Sequence, residues 1–226
     1  MKKTLLITTL LAFIVFAGIY AERKLHGINF KTKAARKEVK ELEKNNEIRD
    51  GDLIFQTDLS PQSKAVELAT KSIYSHCGII FKKGNSFLVY EAVQPVKKTV
   101  LDKWIARGKD GKYVIRRLKN ADKVLTPAIV VKMKQEGEKS MGKDYDLTFE
   151  WSDERMYCSE FIWKIYQRTT GIEIGKLQHL KEMDLTSDAV KEKLKERYGN
   201  NIPMNETVIS PQAIFESDLL TTVKSN

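Results

Sequence analysis

Hydrophobic positions in this chain switch between a helical and a strand period, and the switches mark its elements. After an apolar run from Leu5 to Tyr20, residues 31 to 47 set Ala35, Val39 and Leu42 on one helical stripe among lysines and glutamates. The turn signal Asp50-Gly51-Asp52 ends this stretch, and Leu53-Ile54-Phe55 begins a strand. Ser60-Pro61 supplies a cap and a first-turn proline for a helix running to about Thr70. Tyr74 to Phe81 and Ser86 to Val93 then read as two strands of a hairpin. Their loop, Lys82-Lys83-Gly84-Asn85, has glycine and asparagine available for positive backbone angles.

Further on, Leu101 to Arg107 predicts a short helix, Tyr113 to Leu118 a strand, and Val124 to Met141 a long helix. A loop, Gly142-Lys143-Asp144-Tyr145-Asp146, leads to a second helix. On it Cys158, Ile162 and Ile165 share one stripe, widened by Phe161 and Tyr166. A charged helical stretch covers Ser187 to Arg197, and Ser210-Pro211 opens a last helical turn. There is no internal repeat, low-complexity tract or second core. The pattern therefore predicts one α+β domain over residues 48–226, preceded by a leading helix over 22–47.

Residues 1–21 combine Met1-Lys2-Lys3 with the apolar run, which reads as a secretory signal cleaved after Ala17 or as an uncleaved anchor. Both readings place the domain outside the cytoplasm, periplasmic or associated with the cell envelope. The net charge of +9 is spread through mixed lysine and glutamate helices, a composition suited to an anionic envelope surface. No arginine-rich stripe interleaved with aromatics points to nucleic acid.

Two short segments carry the chemistry, Tyr74-Ser75-His76-Cys77-Gly78 and Tyr157-Cys158-Ser159-Glu160. Cys158 near a helix start has unpaired backbone N–H groups and the helix dipole to favour its thiolate, and its own N–H is placed to face an oxyanion. His76 serves as base and then acid. A symmetric hairpin register pairs Phe81 with Ser86 and so His76 with Glu91, a carboxylate able to orient the imidazole. Strand alternation turns Cys77 away from His76, and hence away from Cys158.

A Cys77–Cys158 disulfide is the plain alternative in an oxidising compartment. Zinc is another, but the chain has neither paired-cysteine spacing nor a His-Glu-x-x-His helix, so no metal and no cofactor is expected. Tyr74 and Tyr145 are candidate substrate-binding residues, with packing roles equally open.

These motifs resemble the YiiX-like permuted papain-fold enzymes of the NlpC-related peptidase superfamily. The resemblance rests on Gly51-Asp52-Leu53-Ile54-Phe55, Ala69-Thr70-Lys71-Ser72, Tyr74 to Ile79, Tyr90-Glu91-Ala92, Gly142 with Tyr145-Asp146, Tyr157 to Glu160, and Ser210-Pro211. In papain-like enzymes the cysteine precedes the histidine; here it follows, as a circular permutation requires. The resemblance implies a five- or six-stranded antiparallel sheet packed against the helix that carries the nucleophile. It also implies a Cys158, His76 and Glu91 triad hydrolysing an amide or related acyl bond through a thioester. Cys77 departs from the aliphatic residue usual at its position. Cell-wall peptide and acyl lipid are both open as substrates, hydrolysis and acyl transfer as reactions, and a non-catalytic envelope-binding domain is the remaining alternative.

Overall fold

The computed structural model describes residues 31–226, so the signal or anchor segment and His26 lie outside the described residues. A leading helix, α1, covers 31–44. The elements that follow are β1 (Leu53–Gln56), α2 (Pro61–Thr70), β2 (His76–Lys83), β3 (Ser86–Glu91), β4 (Lys97–Val100), α3 (Leu101–Arg107) and β5 (Val114–Leu118). The second half adds α4 (Ala121–Val124), α5 (Pro127–Glu138), α6 (Cys158–Thr170), β6 (Gln178–His179), α7 (Asp188–Tyr198), β7 (Thr207–Val208), α8 (Pro211–Phe215) and β8 (Leu220–Ser225).

Six strands form one antiparallel sheet in the order β4-β3-β2-β1-β5-β8, and β6 and β7 form a separate two-stranded ribbon. This is the expected α+β architecture. Strand alternation sorts the sheet's side chains to two cores. Leu53, Phe55, Cys77, Ile79 and Phe81 pack with Cys158, Phe161, Ile162 and Ile165 of α6. On the other face Ile54, Ile80, Val89 and Ile115 pack with Trp104 and Ile105 of α3 and with Ala35, Val39 and Leu42 of α1. The helical stripe read from residues 31 to 47 is therefore a wall of the core on the α3 face of the sheet. A third, smaller core joins Ala65 of α2 to Val190 and Leu194 of α7 and to Leu180.

The turn before β1 is fixed by Gly51, whose φ of +87° is one an L side chain rarely adopts; a Cβ there would also meet Leu125 Cδ1 at 2.6 Å. Its carbonyl accepts a hydrogen bond from the Tyr166 hydroxyl of α6. Next to it, Arg117 forks onto Asp52 with two bonds of 2.7 Å, tying β5 to the start of β1.

Two features depart from the sequence reading, the helix after β5 and the hairpin, and one agrees with it. The predicted helix from 124 to 141 is divided, because Thr126 caps a new helix whose first turn holds Pro127. Helix α6 starts at Cys158, with Tyr157 as its N-cap, in line with the reading of Cys158 near a helix start. The hairpin is tighter than predicted: Lys83 pairs with Ser86 and Phe81 with Leu88, leaving Gly84-Asn85 as a two-residue turn with φ of +58° at Gly84. The strands β4, β6, β7 and β8 were not legible from periodicity. Among the described residues no helix is long and apolar enough to cross a membrane.

If α1 is integral to the fold, Leu42→Ala, at a site only 1% exposed, should cost about 2–5 kcal/mol in urea unfolding. A loss under about 1 kcal/mol would mark α1 as an appendage.

Candidate active site

The site lies where β2 begins, β3 ends and α6 begins. His76 is the first residue of β2 and Glu91 the last of β3. They are not directly opposite as the symmetric register predicted. With Ile79 facing Tyr90, the pairing is displaced by two residues, which makes His76 and Glu91 diagonal neighbours. An even displacement keeps both on one face, and His76 Nε2 sits 2.6 Å from Glu91 Oε2.

Glu91 is fully buried and satisfied by three further side chains from two elements. Trp104 of α3 donates its indole N–H to Oε2 at 2.8 Å, and Thr99 of β4 its hydroxyl to Oε1 at 2.6 Å. Arg107, the last residue of α3, spans both oxygens at 3.1 and 2.5 Å. Burial raises the carboxyl pKa, but the bonds and charges of His76 and Arg107 outweigh it and hold Glu91 well below the usual carboxylate range. The Trp104 ring also stacks on the imidazole, with centroids 5.7 Å apart. Sequence reading found none of these three supports. Their one legible signal was the helix 101–107, whose Trp104 and Arg107 lie one turn apart and share a face.

Cys158 packs against the same end of β2. Its sulfur is hydrogen-bonded to Cys77, both side chain and backbone, and to His76. With Nε2 taken by Glu91, the imidazole presents Nδ1 to the thiol. The hydrogen bond from Cys77 lowers the Cys158 pKa; burial opposes this, and the His76 hydrogen bond and charge then bring it well below the ordinary thiol value. Burial alone would lower the His76 pKa, but the bonds to Cys158 and Glu91 carry it up to about 9. Together these favour a thiolate–imidazolium pair at neutral pH.

Cys77 requires a correction. Alternation does put it on the α6 face, opposite in sense to His76, but that is the face Cys158 occupies. Because the sulfur sits at the strand's first residues, it is met by neighbours from both faces at once. Both cysteines are free thiols, so the disulfide alternative does not describe this structure. Burial and the neighbouring Cys158 push the Cys77 thiol well up, so it stays protonated and donates.

At the first turn of α6, Phe161 N–H makes the first intrahelical bond, to the Tyr157 carbonyl. The N–H of Cys158 therefore has no acceptor within the helix. Glu160 fixes this end by accepting from Tyr157 N–H at 3.4 Å and from Lys164 at 2.7 Å. Ser159 donates to the Ile209 carbonyl at 2.7 Å, and Ser75 bonds Asp58 N–H at 3.0 Å, so neither is presented as a nucleophile.

Cys158 opens onto a cleft with about 750 Å³ of empty space, its solvent mouth included. Tyr145 lines this cleft beside Cys158, whereas Tyr74 packs between Phe55 and Phe215 and does not reach it. The remaining described histidine, His179, is exposed on β6. Gln56, cross-strand from His76, is buried with neither amide atom bonded, and nothing in the structure explains it.

Fold and site together define a papain-like cysteine enzyme in permuted order. Residues 47–224 match the family described as "Permuted papain-like amidase enzyme, YaeF/YiiX, C92 family", and the chain belongs to that family. It is 51% identical over 173 residues to the uncharacterized protein YiiX of Escherichia coli K12, covering 76% of this chain and 84% of that protein. The crystal structure of a protein described as metalloprotein YiiX, from Escherichia coli O157:H7, superposes with a TM-score of 0.76 at 49% identity. That match covers 80% of this chain and 98% of the other.

Iodoacetamide should label Cys158 and spare Cys77, at a rate that is level from about pH 6 to pH 8 because the thiolate is already formed. Glu91→Gln removes charge that raises the His76 pKa, weakening the imidazolium; the labelling midpoint should then climb toward the ordinary thiol value of about 8.5. Superimposable profiles for the two proteins would mean that Glu91 has no hold on the pair.

Proposed function

We propose that this amidase-family enzyme cleaves an amide whose acyl group is an apolar chain, with Cys158 as nucleophile, His76 as acid and base, and Glu91 as the residue that orients His76. The observation that carries this reading is the lowered thiol of Cys158 opening onto an apolar cleft. The thiolate attacks the carbonyl carbon, and the negative charge develops on its oxygen, facing the free N–H of Cys158. As the C–N bond breaks, the imidazolium passes its proton to the leaving amine, and a thioester remains. His76, now neutral, takes a proton from water, which attacks the thioester. The acyl group leaves as a carboxylate and the thiolate is restored.

The cleft walls favour lipid over wall peptide as the acyl source. Ala65 and Val66 of α2, Val190 and Leu194 of α7, and Leu180 and Leu185 between them line its length. A hydrocarbon chain gains about 0.8 kcal/mol per methylene buried on such walls, whereas a peptide stem would leave polar groups unpaired. With the amino-terminal run read as a signal, this chemistry belongs at the cell envelope. One relative is described as a metalloprotein. Among the described residues of this chain, no three His, Cys, Asp or Glu side chains are disposed to hold a metal ion, so no step passes through one.

Cys158→Ala should lower hydrolysis of N-octanoyl amides by at least about a thousandfold, in line with loss of a covalent nucleophile. In the parent enzyme, kcat/KM should rise about three- to fourfold per methylene from N-butanoyl to N-octanoyl substrates. Mass spectrometry of Cys158 after incubation with phospholipid and muropeptide pools should find an acyl adduct from the lipid pool. An adduct from muropeptide alone, with kcat/KM indifferent to chain length, would reverse the substrate assignment.

A further inference from the structure

The cleft carries one charge that neither the proposed mechanism nor the fold uses. Arg197, in the last turn of α7, is half-buried on the cleft wall. Among the described residues no carboxylate lies within ion-pairing distance of its guanidinium. Its neighbours are committed elsewhere. Glu196 binds Lys193, the other cation lining the cleft. Asp146 accepts from Thr148 and Glu150 N–H and lies 3.5 Å from Arg155.

Arg197 is held by uncharged partners. It donates to Gln62 Oε1, and its guanidinium carbon lies 5.1 Å from the centre of the Phe149 ring. Gln62 in turn approaches the Tyr145 hydroxyl at 3.5 Å, and Tyr145 lines the cleft together with Cys158. Gln62, Tyr145 and Arg197 thus make a polar end to an otherwise apolar cleft, beside the nucleophile. Burial lowers the Arg197 pKa, the sign of a cation whose lost hydration is not repaid by a partner.

We propose that Arg197 is a specificity-determining residue that binds an anionic group, carboxylate or phosphate, on the amine side of the scissile amide. The substrate class is then an amphipathic N-acyl compound, with its chain along the apolar walls and its charged end at Arg197. The inference rests on the reading of the cleft as the acyl site. A planar guanidinium already fixed by Gln62 and Phe149 presents its remaining N–H groups to an oxyanion at little further ordering cost. Position in the last turn of α7 also suits a cation to the helix dipole, so a merely structural role is the rival to be separated.

The test uses full-length protein carrying Cys158→Ala, which prevents turnover, and calorimetric titration with three probes. These are N-octanoylglycine, its neutral amide N-octanoylglycinamide, and N-octanoyl-phosphoethanolamine. Both anionic probes should bind at least about tenfold more tightly than the neutral one, by the strength of a charge-assisted hydrogen bond, and the gap should narrow as salt is raised. Adding Arg197→Gln should erase the gap while leaving N-octanoylglycinamide unchanged, and Arg197→Lys should restore part of it. A gap confined to one anionic probe would identify the source, amino-acid carboxylate or phosphorylated headgroup. Equal affinity for charged and neutral probes in the Arg197 protein overturns the proposal but leaves the acyl cleft standing. So does parallel weakening of all three probes by Arg197→Gln, which would mark a structural role. Failure of every probe to bind overturns the cleft reading as well.

Discussion

A single buried carboxylate holds the two halves of this molecule's chemistry in register. Glu91 ends a strand inside the protein, where an unpaired charge would cost several kcal/mol. It is tolerated because His76, Thr99, Trp104 and Arg107 converge on it from β2, β4 and α3. Those bonds do more than offset desolvation. They fix α3 across the end of the sheet, and they turn the imidazole so that Nε2 is occupied and Nδ1 is free for Cys158. The ionisation of a thiol on α6 is therefore set from both faces of the sheet, by the Cys77 hydrogen bond on its own side and by the Glu91-anchored imidazole on the other.

Much of this was legible in the sequence because it followed from short-range rules. The stripe Ala35, Val39, Leu42, the cap at Ser60 and the apolar face of α6 each express a local period or cap, and the structure places them as read. Strand β8 was not legible: its residues Leu220 to Ser225 pair with β5, and no local pattern announces a partner a hundred residues away. The same limit hid the ligands of Glu91. Trp104 and Arg107 lie on a correctly read helix, but their common target depends on where α3 docks. Cys77 shows a subtler failure. The alternation rule was applied correctly, and the error lay in assuming that Cys158 approached from the face of His76.

The sheet and the cleft divide the work between rigidity and selectivity. The large cores on either side of the sheet position His76, Glu91 and the start of α6, and their packing has few degrees of freedom. The cleft is walled by the smaller third core, where α2 meets α7 across Ala65, Val190 and Leu194. A change in those side chains alters what fits beside the sulfur without disturbing how the sulfur is ionised. Chemistry and recognition thus draw on different hydrophobic clusters that meet along the cleft at Tyr145, Phe149, Tyr157, Cys158 and Ile209.

The two-residue hairpin turn at Gly84-Asn85 has a consequence for how this site tolerates change. Side chains on a strand alternate faces, so the partnership of His76 with Glu91 depends first on the parity of the residues between them and then on their number. A two-residue slide of one strand along the other keeps imidazole and carboxylate on a common face: in one sense it makes them directly opposite, in the other it sets them four residues apart along the strand. Loss or gain of one inverts the whole of β3 and sends the carboxylate into the α6 core. A slide in odd steps therefore separates the pair unless a bulge restores the count, and one in even steps preserves it only where it closes the existing offset.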